Sequence, residues 1–178
     1  MAQNKFRAFD TNGDEVELSA LIASLGVGDA LKIISTGADG RIDISFLPPG
    51  IGADTETLVC SEALSPGSWI NIYDNGGVRT ARMASSLDNT KPAMAFVKSA
   101  FAQSDNALVY LRGVNSQVPL GAFVPTDRGK KAFLAAAGGA QRTPPTGTGT
   151  LLQVLGPITD VAATVSVNFS YSPGTTRA

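Results

Sequence analysis

The chain has 178 residues, enough for one ordinary domain or a small element followed by one, and 43% of them are hydrophobic, which excludes general disorder. Histidine is absent and Cys60 is the one cysteine. That excludes Ser-His-Asp and Cys-His catalysis, histidine-ligated zinc, thiolate metal clusters and an internal disulfide. The net charge of −1 marks neither a nucleic acid nor an anionic membrane as partner, but it is unevenly placed: residues 1–62 hold ten Asp/Glu and four Lys/Arg, residues 63–178 five and ten.

Met1 to Leu18 contains no apolar h-region, so no signal peptide is expected, and no apolar run approaches eighteen residues, so no membrane-spanning helix is expected. A lone free thiol fits synthesis in a cytoplasm. Lys5 to Phe9 alternates as a strand, Asp10-Thr11-Asn12-Gly13-Asp14 carries the Asn-Gly signal of a tight turn, and Glu15 to Leu18 reads as the return strand. Ser19 stands as N-cap of a short helix, Ala20 to Leu25, closed by Gly26. Ala30 to Ser35 and Arg41 to Phe46 read as strands about a turn at Thr36–Gly40. Leu47-Pro48-Pro49-Gly50-Ile51-Gly52 is the best boundary in the chain.

Beyond it the pattern is steadily β. Thr57–Cys60, Trp69–Tyr73, Val78–Ala84, Ala93–Val97, Ala107–Leu111, Val118–Val124, Leu151–Leu155 and Val161–Phe169 are predicted strands. Turns are expected at Ser65-Pro66-Gly67, Asp74–Gly77 and Gln103–Asn106. Alternating strand–helix units are missing. The predicted class is therefore mainly β, with an extended N-terminal attachment element at 1–50 containing little helix, a small β-sandwich or barrel at 51–171, and a flexible tail at 172–178.

Few residues invite chemistry. Asp10, Asn12 and Asp14 match the first three alternating positions of an EF-hand loop, but Glu15 stands where that loop needs glycine and Leu21 where it needs a bidentate glutamate. Gly26-Val27-Gly28 and Gly147-Thr148-Gly149-Thr150 lack the lysine and spacing of phosphate loops. The carboxylate pairs Asp14-Glu15 and Asp39/Asp43 lie in hydrophilic turns and read as solvated surface. Lys130-Lys131 is a basic spot without interleaved aromatics. Cys60 beside Val59 reads as a small buried apolar group. Accordingly no catalytic, cofactor-binding or metal residue is expected, nor any cofactor. From Ala132 to Thr176 only Arg142 and Asp160 are charged, which suggests burial either against another subunit or within the segment's own core.

Several stretches share a cadence: Ser61-Glu62-Ala63-Leu64-Ser65-Pro66-Gly67, Ile70–Tyr73, Arg79 with Arg82-Met83-Ala84, Ala95-Phe96-Val97, Ala107–Tyr110, Gly113-Val114-Asn115, Thr143–Gly149 and Leu152–Gly156. In this cadence the chain resembles small tailed-bacteriophage virion proteins of the capsid-decorating or head-fibre kind. Gly37–Asp43 and Leu47–Asp54 resemble the linker that joins an attachment segment to the β domain of such proteins. The resemblance implies a non-enzymatic structural protein on the outer capsid surface. It also implies the major capsid protein as partner and a homotrimer, with no nucleic acid or membrane bound. A tail-fibre or baseplate adaptor is the alternative. A glycan-binding module is another, in which Trp69, Tyr73 and Tyr110 present exposed stacking faces.

Overall fold

A computed structural model describes residues 5–29, 32–38, 40–43, 46 and 54–177. The chain divides into two units, Met1–Gly52 and Ala53–Ala178.

The first unit opens with strands β1 (Lys5–Phe9) and β2 (Glu15–Ser19), paired antiparallel with Phe6 opposite Leu18 and Ala8 opposite Val16. One face of the hairpin is therefore apolar. The other pairs Lys5 with Glu17 and Arg7 with Glu15. The helix expected over 20–25 does not form. Asp29 Oδ2 accepts the Leu25 amide at 2.7 Å and Ser24 Oγ accepts the Gly26 amide at 3.1 Å, so side chains take up the donors a helix would use. Leu21 instead makes a parallel bridge with Ile34, and a short 3-10 turn follows at Val27–Asp29. That single bridge is what the predicted strand over 30–35 amounts to among the described residues; Ala30 and Leu31 lie outside them. The Gly37 amide donates to the Arg41 carbonyl at 2.8 Å, which gives the expected turn. Residues 41–43 and 46 carry no strand, Ile44 and Ser45 lie outside the described residues, and so does the Pro-Pro-Gly boundary at 47–53. None of the described residues from 5 to 46 is buried.

The second unit is built on a closed barrel of β3 (Thr55–Cys60), β4 (Trp69–Asn75), β5 (Val78–Met83), β6 (Ala95–Phe96) and β7 (Asn106–Tyr110), in the order β3-β5-β4-β6-β7. The β4–β5 connection is a two-residue turn in which Gly76 and Gly77 both have positive φ, as a hairpin that follows strand twist requires. A five-stranded sheet adds β8 (Gly113–Pro119), β9 (Lys131–Leu134), β10 (Ala140–Gln141), β12 (Val154–Val161) and β13 (Thr164–Phe169), ordered β10-β9-β12-β13-β8. β11 (Leu151–Leu152) pairs with β14 (Thr175–Thr176). Of the two architectures left open by the sequence, this is a barrel, with a sheet laid against it.

Strand alternation divides the interior in two. Ile70, Ala81, Ala95, Val97, Ala107, Val109, Leu58 and Cys60 fill the barrel. Trp69 and Phe96, their immediate chain neighbours, point out of it and form a second core with Val118, Leu134, Leu155, Ile158, Val165, Val167 and Phe169 of the sheet. Trp69 packs its ring against Phe169 at 5.0 Å and Phe96 at 5.7 Å, and Phe96 stacks on Tyr110 at 5.3 Å. The charge-poor segment 132–176 thus spends its large apolar side chains on this second core; Tyr171 is its one exposed large hydrophobic.

One predicted strand shifts here. The strand predicted at Val118–Val124 lies earlier, at Gly113–Pro119. Pro119 lacks the donor to continue it, and the Phe123 amide closes a turn on Leu120. The basic spot at Lys130-Lys131 opens β9, with Ala132 and Leu134 facing inward. Toward the chain's end Thr175–Thr176 form β14, and the Ser172 carbonyl accepts from buried Gln153 at 2.8 Å.

Candidate functional site

Four buried polar side chains of the second unit, Gln153, Asn115, Asn71 and Asp127, are committed to holding its own loops. Gln153 reaches across to Ala93, donating to its carbonyl at 2.8 Å and accepting from its amide at 2.7 Å. Asn115 Nδ2 donates to the Gly67 carbonyl at 3.0 Å. Gly67 is required there: its φ is +81° and a Cβ would lie 2.0 Å from the Gln117 carbonyl oxygen. Asn71 donates to the Pro92 carbonyl and accepts from Arg82 Nε at 2.8 Å, while the Arg82 guanidinium lies 4.1 Å over the Tyr73 ring. Asp127 accepts the Val124 amide at 3.0 Å and pairs with Lys130 and Arg142. These contacts, the amide foremost, hold its carboxyl below the usual aspartate range. Each of these groups pins a loop; none is left aimed into a cleft.

The residues singled out from the sequence do not converge. Asp10 Oδ1 accepts the Asn12 and Asp14 amides at 2.8 and 3.0 Å, which lowers its pKa and makes it the clasp of a hairpin turn. At Gly26–Gly28 the Asp29 carboxylate occupies the Leu25 amide, the type of donor that a phosphate would need. Asp29 is itself held low by Lys32 and that amide. The Thr150 amide closes a turn on Gly147 at 3.2 Å. Glu15 pairs with Arg7 across the hairpin, and Asp39 lies outside the described residues. Cys60 is buried in the barrel, and burial first, then the charge of Asp105, raises its pKa. Among the described residues no three His, Cys, Asp or Glu side chains come together as a metal site. Trp69 is fully buried, so it offers no stacking face to a glycan. Tyr110 is stacked on Phe96 with Lys98 Nζ 4.6 Å from its centroid.

Sequence reading expected an attachment element at 1–50 but did not locate its surface. The apolar face of the β1–β2 hairpin forms one wall of an open groove of about 470 Å³ lined by Phe6, Leu18, Ser19, Leu21, Lys32 and Ile33. Ile22, Leu25, Val27, Ile34 and Ile42 of the same unit are also exposed. The alternation of β1 and β2 signals such a face, but only the packing shows that none of its residues is buried.

No protein-family model matches the chain, and no curated protein sequence matches it. Among solved structures the chain is similar to the N base of the head fiber gp8.5 of bacteriophage phi29, with a TM-score of 0.48 and 12% identity, over 65% of this chain and 92% of that one.

Proposed function

We propose that the chain is a structural protein of a tailed-bacteriophage virion. It sits on the outer surface of the capsid as a homotrimer, binds the major capsid protein and stabilises the shell. One observation supports this most: the second unit spends its buried Gln153, Asn115, Asn71 and Asp127 on holding its own loops, while the first has no buried residue among those described. A scaffold of fixed shape joined to a unit in want of a surface is equipped to pack against neighbours, not to transform a substrate. The turn-and-strand cadence described above agrees with it. The trimer contact is assigned to the exposed part of 132–176, rich in Thr, Gly and Pro, because an uncharged face can be buried without desolvating ions.

The test is to mix the purified protein with shells that lack it, image the particles and measure shell rupture temperature. Density at regular positions on the shell, in multiples of three copies, and a raised rupture temperature are expected. Density on the tail alone would place the protein as an adaptor and overturn the capsid reading; single copies would overturn the trimer.

A further inference from the structure

From the first unit we infer a specific docking surface: the apolar face of the β1–β2 hairpin, centred on Phe6, Leu18, Leu21 and Ile33, seats on an apolar patch of the shell subunit rimmed by Lys and Arg. This rests on the capsid reading above and adds which residues make the contact and what chemistry receives them.

A two-stranded hairpin in water is marginal without a third strand or a packed face, and here the apolar face lies open along the groove. Leu25 and Val27 are 97% and 95% exposed. Burying such a set against a partner gives a core to described residues that have none among themselves. The hairpin also leaves strand edges whose amides and carbonyls can pair with an added strand.

Charge decides between occupants. Residues 1–52 hold seven Asp/Glu and four Lys/Arg. Three of those bases, Lys5, Arg7 and Lys32, are taken up by Glu17, Glu15 and Asp29 of the same unit. The field left over is negative. It repels a nucleic acid, an anionic membrane or a second copy of the same unit, and it attracts a basic rim. Such an attraction is partly screened by salt, whereas the apolar contact is not.

The experiment measures binding of full-length protein to undecorated shells by co-sedimentation. Three forms are compared: the natural protein, Phe6→Ser/Leu18→Ser, and Leu25→Ser/Val27→Ser. The second pair replaces side chains that stand in solvent, so its substitution leaves the free fold intact, and circular dichroism verifies this for both variants. Phe6→Ser/Leu18→Ser, in the groove, is expected to weaken binding at least tenfold, Leu25→Ser/Val27→Ser, outside its lining, by less but more than twofold, and raising NaCl from 50 to 300 mM to weaken the natural protein severalfold. If the natural protein binds and both variants bind within twofold of it, the docking surface is wrong while the capsid reading stands. If binding does not weaken with salt, the basic rim is wrong. If the variants change the mass of the free protein and not its shell affinity, the face joins copies of this chain and the inference fails. If the natural protein does not bind at all, both readings fall.

Discussion

The two units are built from similar strands and differ in what those strands face. β4 is apolar on both sides and each side meets a core, Trp69 toward the sheet and Ile70 into the barrel. β1 is apolar on one side and that side meets a groove. Strand alternation makes a face; only a second layer makes a core. Ion pairs do not substitute for that layer. The cross-hairpin pairs of the first unit are half exposed or more, and such pairs contribute roughly 0–1 kcal/mol each. Full burial of a large apolar side chain contributes about 1.5–3 kcal/mol.

The largest expression of this difference is in hydrogen exchange. Amides of β4 and β5 should exchange at least about a thousandfold more slowly than those of β1 and β2 in the free protein, because the former open only with the whole unit. Equal protection of the two hairpins, read by mass spectrometry, would abolish the comparison. Next comes a matched pair of truncations. Trp69→Ala removes a ring wedged between Phe96 and Phe169 and should cost about 3–5 kcal/mol of calorimetric stability. Phe6→Ala should cost under about 1 kcal/mol in the unbound protein. Similar losses would mean that the first unit has a core after all.

Gln153→Ala strands the amide and carbonyl of Ala93 and the carbonyl of Ser172, and should cost about 2–3 kcal/mol. Retained stability would show that water replaces the clamp. The smallest effect is acid sensitivity. Asp127 is depressed by the Val124 amide and Lys130. Asp88 is depressed to about 2 by the Thr90 hydroxyl and amide. Groups with lowered folded pKa add stability above their unfolded pKa, near 4, and lose it as pH falls through the folded value. The second unit should therefore weaken as pH falls from about 4 toward 2, and Asp127→Asn should flatten that slope. An unchanged slope would remove Asp127 from the account.

How far the fold was legible follows from range. The first hairpin was readable because Asn12-Gly13 and the alternation on either side are local. The barrel hairpin at Gly76-Gly77 was readable for the same reason. The run Trp69–Tyr73 announced a buried strand but not that its two faces serve different cores, since no local pattern distinguishes two apolar sides. The helix over 20–25 was misread because Ser19 and Gly26 stand where its caps would, whereas Ser24 and Asp29 bind the backbone in another form. β8 was set too late because its inward residue Asn115 is polar, and its reason, a bond to Gly67, is 48 residues distant. The charge-poor segment fitted either an interface or an inner layer. Its apolar positions proved to be the latter, which composition alone does not separate. The groove of the first unit was illegible because exposure is a property of what is absent.

The shared strand β4 has a consequence for the order in which the protein is made. The barrel has all its strands once Tyr110 has been synthesised. Its wall of Trp69 and Phe96 is fully covered only when β13 delivers Val165, Val167 and Phe169, near the far end of the unit. A nascent chain therefore passes through a stage in which a closed barrel offers an adhesive aromatic flank to the ribosome's surroundings. Contacts so distant in sequence are slow to form. Speed of translation between residues 110 and 169 thus bears on how long that flank stays incompletely covered.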